Sequence, residues 1–134
     1  MLLGHLVGTA ERSLATAEGR RTGLMPHGVA DLADGDLATR YLTVVTAAVS
    51  AWSASACLDD PVVAPWREVE GRTAVWGFTN DTLVHGWDIA VATGQPAEAA
   101  AGLSEPVLAR AHRLAREATR NARAYRPVLN LKAL

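Results

Sequence analysis

The sequence predicts an all-α protein, and three observations carry that prediction. Apolar residues recur at helical spacing in three separate stretches. Clusters of Gly, Pro and Asp separate those stretches, where a helix must stop. Hydrophobic residues make up 49% of the 134, enough to fill one core, and no apolar run approaches membrane-spanning length. A single helical-bundle domain over residues 1–134 is therefore expected.

Leu3, Val7, Ala10 and Leu14 form the first stripe, which places a helix from about Leu2 to about Ala17, ended by Gly19. No capping residue precedes it, so its first amides lack a side-chain partner. Residues Arg20 to Gly35 hold three Gly and one Pro and read as a long connection. Asp36 is the candidate N-cap of a second helix from Leu37 to about Cys57, with Leu37, Tyr41, Val45, Ala48 and Trp52 on one face. Asp59-Asp60-Pro61 stops it. Val62 to Arg72 reads as irregular, with a weak signal for one short strand at Arg67-Glu68-Val69. A third helix is expected from near Thr73 to Thr93, with Gly94 as its C-terminal cap and Pro96 beyond. Ser104 is the candidate cap of a fourth, in which Val107, Ala111, Leu114 and Ala118 face inward. Pro127 closes that helix; the segment from about 126 reads as irregular, and Val128 to Leu134 carries no signal.

Charge excludes some function classes. The formal net charge is -1, and the longest basic series is Arg110, Arg113, Arg116, Arg120 and Arg123. Its spacing lays it along the polar face of a helix, and Glu105 and Glu117 dilute it, so it reads as a solvated face rather than a nucleic-acid surface. The single cysteine, Cys57, excludes an internal disulfide and suits a reducing cytoplasm. It ends an Ala/Ser-rich apolar stretch with no base or cation nearby, so it reads as a small buried thiol. The N-terminus lacks the basic segment of a signal peptide. The expectation is a cytoplasmic protein with no membrane segment.

The chemistry concentrates in the third helix. Gly77, Thr79, Asn80, Asp81, Thr82 and Gly86 are poor helix formers, and each interior Gly costs about 1 kcal/mol relative to Ala. Such local conflict often marks a functional site. Asp81 and His85 are four apart, hence one turn apart on one face, where a carboxylate oxygen and an imidazole nitrogen can converge on a divalent cation. Asp88 is one turn further and could orient His85 or be solvated. Two plainer readings compete: Thr79-Asn80-Asp81 as an N-cap cluster for a helix starting at Thr82, or a simple Asp–His ion pair. A catalytic zinc usually has three protein ligands. His5, in Leu2-Leu3-Gly4-His5-Leu6-Val7-Gly8, is the best third, against the alternative of a half-buried His bonded to a carbonyl. His27, in a Gly/Pro-containing loop, and His112, among the arginines of the fourth helix, read as exposed.

Taken together, Leu3-Gly4-His5-Leu6-Val7-Gly8, Ala51-Trp52 and above all the run from Asp81 to Gly94 (DTLVHGWDIAVATG) resemble the DinB-like superfamily of actinobacterial type, the metal-binding domain of mycothiol-dependent maleylpyruvate isomerases. The likeness covers most of residues 3–96. It implies a DinB/YfiT-like four-helix bundle with a metal held by His5, Asp81 and His85: zinc first, nickel or manganese as alternatives. It also implies a low-molecular-weight thiol such as mycothiol as cofactor, a small-molecule substrate, and isomerisation or S-transfer as the reaction. Relatives carry a helix before the His-bearing one, so the bundle is expected to be incomplete at the N-terminus. The competing expectation is a non-catalytic helical module with a vestigial metal site that pairs with itself or a partner, a homodimer included.

Overall fold

The computed structural model describes residues 2–54, 56–98 and 101–124, without the side chains at 56, 101, 118 and 121–124. Four helices dominate the described residues: α1 (Leu2–Ala17), α2 (Asp34–Ala54), α3 (Gly71–Thr93) and α4 (Ala101–Ala124). The all-α expectation holds at that level. A single 3-10 turn at Ala56–Leu58 and two three-residue strands, β1 (Pro61–Val63) and β2 (Glu68–Glu70), lie between α2 and α3. The chain divides into a unit over residues 1–99 and a second over 100–134.

In the first unit α1 packs against both α2 and α3 and is buried along most of its length. Val7 is fully enclosed, which is worth about 1.5–3 kcal/mol relative to exposure. The predicted α2 stripe is the buried one: Leu37, Ala48 and Trp52 are buried and Tyr41 and Val45 half-buried. Trp52 donates its indole N–H to the Ser13 hydroxyl at 3.0 Å, which satisfies the polar end of that ring and ties α2 to α1. Trp52, Val62, Ala64, Ala74 and Phe78 form the main apolar cluster, with Cys57 packed at its margin. Cys57 is half-buried rather than fully buried.

Three boundaries differ from the sequence expectation. α2 starts at Asp34, two residues before the predicted cap, and stops at Ala54, giving way to the 3-10 turn. The stretch read as irregular holds an antiparallel hairpin in which Pro61, Val62 and Val63 face Glu70, Val69 and Glu68. Each strand is too short to show a period of two. Ser104 lies inside α4 rather than capping it, because the helix begins at Ala101. The α1 and α3 ends are as read: Gly19 and Gly94 both adopt φ of 68°, and the Gln95 amide donates to the Ala90 carbonyl at 2.8 Å.

In the second unit Val107 is buried, Ala111 and Leu114 are half-buried, and Arg113, Arg116 and Arg120 are exposed. The predicted closure at Pro127 and the tail to Leu134 lie outside the described residues, as do the side chains of Ala118 and Arg123. No helix among the described residues is long and apolar enough to cross a membrane.

Candidate metal centre

The site begins with two glycines one turn apart on α1. A Cβ on Gly4 would stand 2.2 Å from the Val29 carbonyl oxygen, and one on Gly8 would stand 2.8 Å from that of His27. Only hydrogen at these positions lets the connection after α1 lie directly on the helix. The contact is hydrogen-bonded, since the Val29 amide donates to the Gly4 carbonyl at 3.0 Å. This strap, residues 26–29, covers the turn that carries His5.

Helix α3 supplies the other side. It runs unbroken from Gly71, so Thr79-Asn80-Asp81 lies within the helix and is not an N-cap cluster. Part of its unusual composition has a packing cause: a Cβ on Gly77 would stand 2.7 Å from the Trp66 ring, which also tilts against Phe78 with centroids 5.1 Å apart. Gly86 has no neighbour within 4 Å of an added Cβ, so no described backbone makes use of its small size.

His5, Asp81 and His85 come together across the α1–α3 contact. One ligand-type atom from each lies within 4.8 Å of the others. His5 Nε2 is 3.4 Å from Asp81 Oδ2, and His85 Nε2 is 3.5 Å from Asp81 Oδ1. Both separations are long for a hydrogen bond. They suit two ligands of one ion, since atoms each about 2.1 Å from a tetrahedral centre stand about 3.4 Å apart. The imidazoles meet edge to face with centroids 4.8 Å apart.

The far side of each ring offers Nδ1 an acceptor. His5 Nδ1 lies 3.1 Å from the His27 carbonyl oxygen, and His85 Nδ1 lies 3.3 Å from Asp88 Oδ2. A carbonyl and a carboxylate can only accept, so both contacts suit Nδ1 as the donor; in the neutral Nδ1–H form of each ring, Nε2 is the lone-pair atom on the Asp81 side. Asp88 is therefore the acceptor that orients His85. The carbonyl alternative for His5 is also realised, and it complements the ligand role instead of competing with it. The three side chains stay 27–35% exposed, which leaves an approach for a further ligand from solvent.

Behind Asp81 stand two residues that the sequence reading missed. The Thr9 hydroxyl donates to Asp81 Oδ2 at 2.7 Å. The buried Arg12 donates through Nη2 to Thr9 Oγ1 at 3.2 Å and through Nη1 to the Pro26 carbonyl at 2.8 Å. Desolvation by burial lowers the guanidinium pKa, opposed by the negative charges of Asp81 and Glu11. The side chains of His27 and His112 are exposed, as expected, but the backbone carbonyl of His27 belongs to the site.

Comparisons with models of protein families, with curated proteins and with solved structures find no match. The donor set nonetheless fits a divalent cation: two imidazoles, each with Nδ1 facing an acceptor and Nε2 facing Asp81, and one carboxylate, on two packed helices and partly open to solvent.

Proposed function

We propose that this protein is a divalent-metal-binding member of the DinB-like superfamily that uses its metal to act on a small thiol. The observation that carries the reading is the orientation of His5 and His85: both Nδ1 atoms face acceptors and both Nε2 atoms face Asp81. His5, Asp81 and His85 would hold the ion, with zinc the best match to a set of two nitrogens and one oxygen. The chemistry such an ion would supply is Lewis-acid activation of a thiol at neutral pH. The residues themselves do the positioning. The His27 carbonyl and Asp88 would hold the imidazole protons on the far side when the Nε2 atoms bind an ion, and Thr9 holds one oxygen of Asp81. The open side admits a thiol cofactor such as mycothiol together with its small substrate, in an isomerisation or S-transfer reaction.

Metal analysis of the purified full chain tests the binding step. The wild type should hold close to one equivalent of zinc or another divalent ion, and His5→Ala and His85→Ala should each lose most of it. A thiol-transfer assay with and without mycothiol then tests the reaction. A second reading rests on one observation: Val84, Trp87 and Val91, at one-turn spacings on α3, are each 50–55% exposed and form an apolar stripe. A wild type with no bound metal would favour that reading, a non-catalytic module that pairs through its helices.

A further inference from the structure

One side chain braces two of the three candidate ligands. Arg12 lies one turn beyond Thr9 on α1 and two turns beyond His5, on the buried face of the helix. Its Nη2 holds Thr9 Oγ1, and that hydroxyl donates to Asp81 Oδ2. Its Nη1 holds the Pro26 carbonyl, and the next carbonyl along the strap, that of His27, accepts from His5 Nδ1. We infer that Arg12 is the positioning residue of this centre, setting Asp81 through Thr9 and His5 through the strap. The inference rests on the metal-binding reading for its purpose, while the bracing itself is a property of the metal-free protein.

Arginine is the residue type this task requires. Its guanidinium is a rigid planar fork that donates in two directions at once, whereas a lysine ammonium is a point charge on a flexible stem. A buried cation is also costly without partners, and Arg12 is only 7% exposed. Its neighbours meet that cost with a carbonyl, a hydroxyl and the nearby Asp81 charge. Thr9 works in one direction for a related reason. Its oxygen accepts from Arg12, so its proton points to the carboxylate. The strap arm works through the backbone alone, so the His27 side chain has no part in it.

Full-length wild type, Arg12→Met, Arg12→Lys, Thr9→Val and Thr9→Ser decide the matter, with Co2+ as the probe ion. Outer partners of metal ligands are typically worth about 10–100-fold in affinity. Arg12→Met should weaken Co2+ binding by about that factor and shift the visible absorption of the bound ion. Thr9→Val should weaken it by about 10-fold, while Thr9→Ser, which keeps the hydroxyl, should stay close to wild type. Arg12→Lys can serve only one arm and should fall between wild type and Arg12→Met.

Histidine ring 15N shifts of the metal-free protein give the separate readout. Wild type and Thr9→Val should show His5 as a single Nδ1–H tautomer, and Arg12→Met a mixture, with faster hydrogen exchange at the Val29 amide. A folded Arg12→Met with an unchanged tautomer and Co2+ affinity within about twofold of wild type would overturn the inference. If Arg12→Met does not fold, Arg12→Lys and Thr9→Val decide by the same criteria. If the wild type binds no Co2+, the metal reading falls, and the tautomer in the Arg12 variants alone decides the bracing role.

Discussion

At the residue scale, what distinguishes the His5–Asp81–His85 group from an ordinary ion-pair cluster is the far side of each imidazole. A histidine recruited only to neutralise Asp81 would turn a proton toward it, and the contact would close to about 2.7–2.9 Å. Here each Nδ1 faces an acceptor of its own, the His27 carbonyl or Asp88, and the Asp81 contacts stand at 3.4 and 3.5 Å. A neighbouring residue gives a pH test on the same fold. Burial of Tyr41 raises its phenol pKa above the usual value of about 10, and a hydrogen bond with the Thr82 side chain pulls it part of the way back. The sign follows from linkage. With the folded-state pKa raised, the unfolded chain releases its proton first, so stability is intact below about pH 10 and declines as pH rises through the folded value. Urea midpoints measured from pH 8 to 11 should fall at the alkaline end for the wild type. The fall should be shallower in Tyr41→Phe.

At the scale of elements, the strap on α1 makes a prediction that runs against helix propensity. Replacing a helix-interior Gly by Ala gains about 1 kcal/mol when nothing intervenes. Gly86 meets that condition, and Gly86→Ala should raise stability by up to about 1 kcal/mol in urea unfolding. Gly4→Ala and Gly8→Ala put a methyl into the Val29 and His27 carbonyls, so both should lower stability, by about 1–3 kcal/mol, the usual cost of overpacking. This contrast marks what was legible beforehand. The α1 and α2 stripes and the Gly19 and Gly94 stops depend on residues within one or two turns, and the sequence shows them. Of the β1–β2 hairpin only the weak strand signal at Arg67-Glu68-Val69, overlapping β2, was legible, because three-residue strands carry too few positions to display alternation. Ser104 misled because a capping residue type is common inside a helix whenever the true start lies a turn earlier. Asp81 and His85 stood out by spacing against a plain cap or ion pair, and His5 joined them by residue type together with the family resemblance. Thr9 and Arg12 could not, since nothing local relates position 12 to position 81. The His27 carbonyl carries no side-chain signal at all.

At the scale of the whole molecule, the three candidate ligands close a long loop. His5 lies on the first helix, Asp81 and His85 on the third, and α2 with the hairpin is threaded between them. All of these lie in the unit formed by residues 1–99. An ion held by that set would join α1 to α3 directly and would have no equivalent site in the unfolded chain. Its binding free energy would therefore add to folding. At a free ion concentration of about 100 times the dissociation constant the gain is about 2.7 kcal/mol. For a unit of this size that corresponds to a rise in Tm of roughly 10 °C or more. Thermal melts with zinc and with a chelator should differ by that amount in the wild type and coincide in His85→Ala. A melt that ignores zinc in both proteins would mean that α1 and α3 are joined by packing and hydrogen bonds alone. The Asp81–Thr9–Arg12 chain would then be the reason these polar groups meet. A zinc-dependent rise confined to the wild type would make the ion itself a fold-stabilising cross-link between the first helix and the third.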